Sequence, residues 1–253
     1  MNEPRPLLGA IWTLARTDFK VRYHGSATGF FWAMLKPICM FGVLLGVFHF
    51  VFANPDYGLN LVTGVFLYEF FTGATTAGLV ALHTKGYLLT KSDFPRWILV
   101  GTSTTNSLLT LAAASLGIVL YLGFSGRFPS PLGVLLYLFY VSQLALIVFG
   151  LALGGSVLFV RFRDLNQVWE VVAQAGFFVA PVIYPLSAIP EHLHLYLYFW
   201  PPTAVIEFSR QVLTTDTIPS LKGHLLLASV TATTLLGGVL IYRKLIDRSA
   251  EYL

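Results

Sequence analysis

Six apolar stretches run along the chain, with most of the charges gathered between them. The first extends from Gly29 to Phe52 and is broken only by Lys36 and Pro37 near its start. The second, Leu59 to Leu82, contains a single acid, Glu69. A third lies between Arg96 and Arg127, and a fourth runs from Leu132 to Val160. The last, Leu225 to Tyr242, is followed at once by Arg243 and Lys244. Crossing roughly 30 Å of hydrocarbon takes about 20 predominantly apolar residues as a helix, so each of these five predicts a membrane span. The remaining stretch, Val168 to Ile183, is apolar but short. As a helix it rises only about 24 Å.

Two flanking regions are irregular. Residues 7–23 carry charges throughout and have no cleavable apolar core of the signal-peptide kind. At about 100° per residue, Leu7, Leu8, Ile11, Trp12, Ala15 and Phe19 share one face. Thr13, Arg16, Thr17 and Lys20 take the other. Such a basic amphipathic helix is expected to lie in the membrane interface, a solvated helix being the alternative. Asp18 and Arg22 fall within the apolar arc at a spacing that lets them pair. The second irregular region, Tyr184 to Gly223, holds Pro185, Pro190, Pro201 and Pro202 around two apolar pieces, 191–200 and 203–213, too short to span. Pro190 and Pro202 suit the first turn of a short helix. Non-helical backbone at membrane depth persists only where protein or water covers it. The short fifth segment and these two pieces therefore predict a helix that enters, bends and leaves on the outer side.

Composition sharpens the solvent question. Of 253 residues, 56% are hydrophobic and only 11% charged, and the mean hydropathy is +0.72. Soluble domains carry about 25% charged residues, which argues against both disorder and an ordinary soluble enzyme. Charge placement sets orientation through the excess of Lys and Arg on cytoplasmic loops. With the N-terminus inside, 13 of the 16 Lys and Arg fall on the inner side, leaving Arg127, Arg210 and Lys222 outside. The expectation is an all-α membrane protein with six transmembrane helices and both termini cytoplasmic. Residues 1–28 form its interfacial helix, 29–245 the membrane domain and 246–253 a short tail.

The usual catalytic patterns are missing. The chain has no G-x-x-x-x-G-K-[ST], no H-E-x-x-H and no C-x-x-C. Its one cysteine, Cys39, can form no internal disulfide. Among the six histidines only His192 and His194 approach a metal spacing, and being two apart on different helix faces they read as surface residues. Glu69 and Glu170 are acids within apolar segments, functional candidates by position. Each lacks an ionisable partner nearby in sequence, so a proton relay has no support. A transporter powered from outside the chain fits these absences, with no metal and no cofactor of its own.

Four stretches then carry a resemblance over about residues 7–245. They are RYHGSATGFFWAMLKP, KGYLLTKSDFPRW, FRDLNQVWEVVAQAGFFVAPVIYPLSAIPE and PPTAVIEFSRQVL. The chain resembles the transmembrane subunit of ABC-2 type exporters, especially those that export lipid-linked polysaccharides such as O antigens, capsules and teichoic acids. Where family members commonly have Asn-Pro, this chain has Pro201-Pro202.

The resemblance implies a homodimer in the bacterial cytoplasmic membrane, surrounded by its lipids and served by two copies of a separate ATPase that binds ATP and Mg. It implies a polyprenyl-diphosphate-linked glycan as cargo, and no nucleic acid. It makes the 83–98 loop a coupling helix docked on the ATPase, with Lys85, Leu88, Leu89, Lys91, Phe94, Pro95 and Arg96 as its residues. Adjacent leucines in a charged loop independently signal a protein contact, though a plain membrane-surface loop stays open. Arg16, Lys20 and Arg22 are candidates for holding the diphosphate by charge-assisted bonds. An outer gate would involve Pro190, Glu191, Glu207 and Arg210. Glu207 and Arg210 stand at i and i+3, which permits an ion pair that serves as a gate element or a structural staple.

Aromatic residues make up 15% of the chain. Trp32, Phe66, Tyr68, Phe70, Phe71, Tyr184, Tyr196, Tyr198 and Trp200 are candidates for a sugar-lining track, because aromatic faces pack on sugar C–H groups and Tyr and Trp add a polar handle. Membrane-interface belts and core packing are the alternatives. Two other functions share parts of this pattern: an ABC-2 exporter of a lipid or drug, and a membrane enzyme acting on polyprenyl carriers. The second needs facing catalytic acids or histidines.

Overall fold

The computed structural model describes residues 29–52, 56–86, 95–126 and 128–249, together with positions 9, 13, 14, 16, 17 and 20 near the start. At 29–34, 106, 109 and 247–249 it describes the backbone alone. Among the described residues the secondary structure is helical, with no strand. In chain order the helices are α1 (Gly29–Phe48), α2 (Tyr57–Leu79), α3 (Ala81–Thr84), α4 (Trp97–Phe124), α5 (Pro131–Arg161), α6 (Leu165–Val179), α7 (Glu191–Tyr198), α8 (Pro201–Arg210) and α9 (Leu221–Ser249).

Three of these are long and apolar enough to cross a membrane: α4, α5 and the Leu221–Ile246 portion of α9. Their 28, 31 and 26 residues rise about 39–46 Å, beyond the thickness of the hydrocarbon. α5 opens on a side-chain cap, Ser130 Oγ accepting from the Gly133 N–H at 3.0 Å, with Pro131 in its first turn. Proline costs nothing there because that N–H has no helical partner.

α2 has a different role. It is long but interrupted by polar residues (Asn60, Thr63, Glu69, Thr72, Thr75 and Thr76), and most of its side chains are buried by neighbouring helices. A helix covered on most sides is the centre of a bundle. Leu61, Val65, Leu67 and Phe71 are fully enclosed, packed among residues of α4, α5 and α8. The threonines return their hydroxyl protons to their own helix, Thr63 to Leu59 O at 2.9 Å and Thr75 to Phe71 O at 2.7 Å. No hydroxyl of that pair needs water.

α5 and α9 form the tightest helix pair. A β-carbon at Gly150 would lie 2.7 Å from Leu235 Cα and 2.7 Å from Thr234 O, and one at Gly238 would run into the Gly150 carbonyl. Glycine at both positions lets the backbones touch, the small-residue packing common between membrane helices. The sequence carries its sign, Gly150-x-x-x-Gly154 packed against Gly238, which hydropathy alone passes over.

Boundaries differ from the sequence expectation in small ways. α1 stops at Phe48, followed by a turn in which Phe52 N–H bonds back to Phe48 O at 3.0 Å. The second apolar stretch bends at Val80 between α2 and α3. The fifth becomes α6, beginning three residues before Val168 and ending at Val179, because Pro181 and Pro185 deny it further helical N–H donors. Pro190 sits just before α7 rather than in its first turn, whereas Pro202 lies in the first turn of α8 as expected, with Pro201 starting the helix one residue earlier.

Candidate functional site

The region around α8 is built on a buried cation. Arg210 is 5% exposed, and its guanidinium is held by three backbone carbonyls. Its Nε donates to Asn60 O at 2.8 Å, Nη2 to Val182 O at 2.7 Å, and Nη1 to Pro181 O. The Pro181 and Val182 carbonyls are available for a physical reason. They lie beyond the end of α6, in non-helical backbone where no helical N–H reaches them. The prolines that stop the helix thus leave acceptors that the arginine fills.

The expected Glu207–Arg210 ion pair is present but loose, at 4.0 Å. Glu207 Oε1 accepts instead from Gln211 Nε2 at 3.2 Å. A guanidinium keeps its proton in proteins, so the three carbonyls hold a charged group. Arg210 is therefore fixed chiefly by carbonyl oxygens, and the staple joins the start of α2, the 181–182 segment and the end of α8. Pro190 and Glu191 are exposed at the start of α7.

Below this clasp, aromatic rings fill the space between α2, α6 and the α7–α8 junction. Trp200, the residue before α8, lies edge-on to Phe71 at 5.8 Å and 6.4 Å from Trp169, with its ring over the bare backbone of Gly176. Tyr68 lies edge-on to Phe177 at 5.3 Å and donates to Ala173 O at 2.6 Å. Trp169 Nε1 donates to Thr75 Oγ1 at 3.1 Å. The proline-rich segment thus turns back into the protein, carrying Trp200 to the middle of α6.

The aromatic candidates divide by burial. Phe66, Tyr68, Phe70 and Phe71 are buried in the core, where packing occupies their faces. Burial of an aromatic ring is strongly favourable wherever neighbouring helices can enclose it, and α2 is enclosed. Tyr184, Tyr198 and Trp200 are half-buried and Tyr196 is exposed. Tyr184 donates to Phe178 O at 2.8 Å, and Tyr198 packs on Phe208 at 6.1 Å. The side chain of Trp32 lies outside the described residues.

Leu88, Leu89, Lys91 and Phe94 of the 83–98 loop also lie outside them, as does Arg22. Lys85 and Arg96, at the two ends of that loop, are anchored. Lys85 Nζ donates to Ser103 Oγ at 2.8 Å, and Arg96 Nη1 donates to Ile246 O of α9 at 2.9 Å, with Pro95 exposed beside it. Arg16 and Lys20 are exposed helical positions one turn apart. Among the described residues no group of three His, Cys, Asp or Glu could hold a metal.

One contact was beyond sequence reasoning. Glu69, isolated in its apolar stretch, pairs with Lys36 of α1, Nζ to Oε2 at 2.9 Å. The two are 33 positions apart in sequence, and no local spacing announces them.

An all-helical bundle with apolar, membrane-length helices defines an integral membrane protein. Residues 9–214 match the family described as ABC-2 type transporter, and the chain belongs to that family. It is 27% identical over 254 residues to the O-antigen export system permease protein RfbA of Myxococcus xanthus, covering 96% of this chain and 95% of that protein. A permease of the same name from Klebsiella pneumoniae is 26% identical over 243 residues, covering 95% and 93%. The polysialic acid transport protein KpsM of Escherichia coli is 22% identical over 231 residues, covering 89% of each chain.

Proposed function

We propose that this chain is the membrane-spanning subunit of an ATP-driven polysaccharide exporter. The observation that carries the reading is its end-to-end likeness to O-antigen and polysialic acid export permeases within one family. On this reading the six apolar segments cross the cytoplasmic membrane, both termini lie inside, and two copies pair about a twofold axis. Two copies of a separate ATPase bind ATP and Mg and dock on the 83–98 loops. Their closure is passed into the bundle where Lys85 and Arg96 pin the loop to α4 and α9. The cargo is a glycan linked to a polyprenyl diphosphate, whose phosphates Arg16, Lys20 and Arg22 attract at the inner surface. The Arg210 clasp holds the α7–α8 hairpin as a plug at the outer side.

Deleting the gene in its host tests this reading. Surface polysaccharide should disappear while lipid-linked polymer accumulates inside, and a plasmid copy should restore export. Unchanged surface polymer, with altered resistance to drugs or altered outer-leaflet lipid, would point to the lipid or drug reading instead.

A further inference from the structure

α6 presents three distinct faces. Taking about 100° per residue, Ala173, Gly176 and Phe177 form the buried face, directed at α2. Val168, Val171, Val172, Ala175 and Val179 form an exposed apolar face on the far side. Gln167, Glu170 and Gln174 fall between these within an arc of about 60°, with Asn166 at the edge of the buried face and the exposed Phe178 beside the apolar one. Glu170 and Gln174 are exposed, and Glu170 accepts from Asn166 Nδ2 at 2.8 Å.

α2 shows a matching feature. Buried on most sides, it leaves open a strip consisting of Glu69, Thr72, Gly73, Thr76 and Ala77, with no large apolar side chain among them. The two helices run antiparallel, since Tyr68 meets Phe177 and Ala173 while Phe71 and Thr75 meet Trp169. With that contact fixed, the right-handed turn of each helix puts the polar arc of α6 and the open strip of α2 on the same side. Lys36 reaches this side from α1 to pair with Glu69, its own side chain 74% exposed.

A side that combines amides, a carboxylate and an ion pair cannot face lipid tails. Its charges are largely matched internally, Lys36 by Glu69, and Glu170 is tied to an amide. What remains on offer is hydrogen bonding spaced about 6 Å apart along α6, with little net charge to trap a ligand. We propose that the joint α2–α6 side lines a water-filled path, and that Glu170, Gln174 and the Lys36–Glu69 pair exchange hydrogen bonds with the hydroxyls of a sugar chain passing through it. This deepens the polysaccharide reading and rests on it.

Single cysteines in a Cys39→Ala background test the proposal in membranes holding the chain with its ATPase. Cysteines at Glu170, Gln174 and Gly73 should react with a water-soluble thiol reagent at least about tenfold faster than cysteines at Val168 or Val172, because only a hydrated thiol ionises readily. Producing the polysaccharide in the same cells should slow labelling at Glu170 and Gln174. Equal slow labelling at all five positions would overturn the hydrated path. So would a Gln174–Gln174 cross-link formed in high yield by a bridging reagent, since the polar side would then be a contact between copies. Rapid labelling that the polysaccharide does not slow, in cells that do export it, would overturn the sugar contact while leaving the exporter reading intact. Gln174→Leu should lower export while its Gln174→Asn counterpart retains most of it, at equal membrane levels. Equal export from both variants would also count against the contact.

Discussion

Arg210 and Asn60 stand 150 positions apart, yet the arginine Nε donates to the asparagine carbonyl at 2.8 Å. Together with the bonds to Pro181 and Val182, this single side chain ties α8 to the start of α2 and to the segment that leaves α6. Three acceptors around one planar fork suit arginine and no other residue.

Removing that fork has a stated expectation. Arg210→Ala leaves three buried carbonyls without their charged donor and should cost about 3 kcal/mol or more. Arg210→Lys should fall between, since one ammonium cannot reach all three. Glu207→Ala should cost less than either, because the arginine keeps its carbonyl partners. Thermal unfolding of the purified chain in detergent ranks the variants. A larger loss for Glu207→Ala than for Arg210→Lys would mean that the ion pair, and not the carbonyl cage, holds the hairpin.

The Lys36–Glu69 pair predicts rescue. Lys36→Glu sets two carboxylates side by side within the apolar stretches and should reduce both membrane level and export. The exchanged pair, Lys36→Glu with Glu69→Lys, should recover most of the loss, because the interaction survives reversal. Immunoblotting and surface polysaccharide measure the two effects. No recovery in the double variant would show that each residue acts separately.

Glycine substitutions separate contact from composition. Gly150→Ala and Gly238→Ala force a methyl group into the facing backbone, which should cost about 1–3 kcal/mol. Gly237→Ala, with open space around its α-carbon, should be tolerated. Comparable losses at all three would remove the close α5–α9 approach as the cause.

Much of this was legible along the chain. Hydropathy located α4, α5 and α9, each apolar over a membrane-length window, and the prolines marked where α6 had to stop. The side that each residue faces was less accessible. The sequence left Phe66, Tyr68, Phe70 and Phe71 open between a sugar-lining track and core packing, and on the enclosed α2 all four are buried among neighbouring helices. Glu69 looked isolated because its partner lies on another helix. The clasp of Arg210 was half visible: the prolines end α6 and leave carbonyls without helical partners beyond it, whereas a backbone acceptor leaves no trace in residue identity.

In the proposed six-span arrangement, orientation is set by the distribution of Lys and Arg. In a Cys39→Ala background, cysteines at Asp56, Ser130 and Thr217 should label from outside intact cells. Cysteines at Ser92 and Asn166 should label only after permeabilisation. Labelling of Ser92 from outside would reverse the six-span arrangement and remove the 83–98 loop from reach of any ATPase.

The most direct measurement uses inverted membrane vesicles containing this chain, its ATPase and a radiolabelled lipid-linked polysaccharide. The account predicts ATP-dependent passage of the polymer into the vesicle lumen, where added glycosidase cannot reach it. Leu88→Asp combined with Leu89→Asp should abolish that protection while the chain stays in the membrane, since burying a leucine contributes roughly 1.5–3 kcal/mol to a docking contact. Polymer that remains open to glycosidase with the wild-type chain, despite ATP hydrolysis by the assembled complex, would contradict the claim that this chain carries polysaccharide across the membrane.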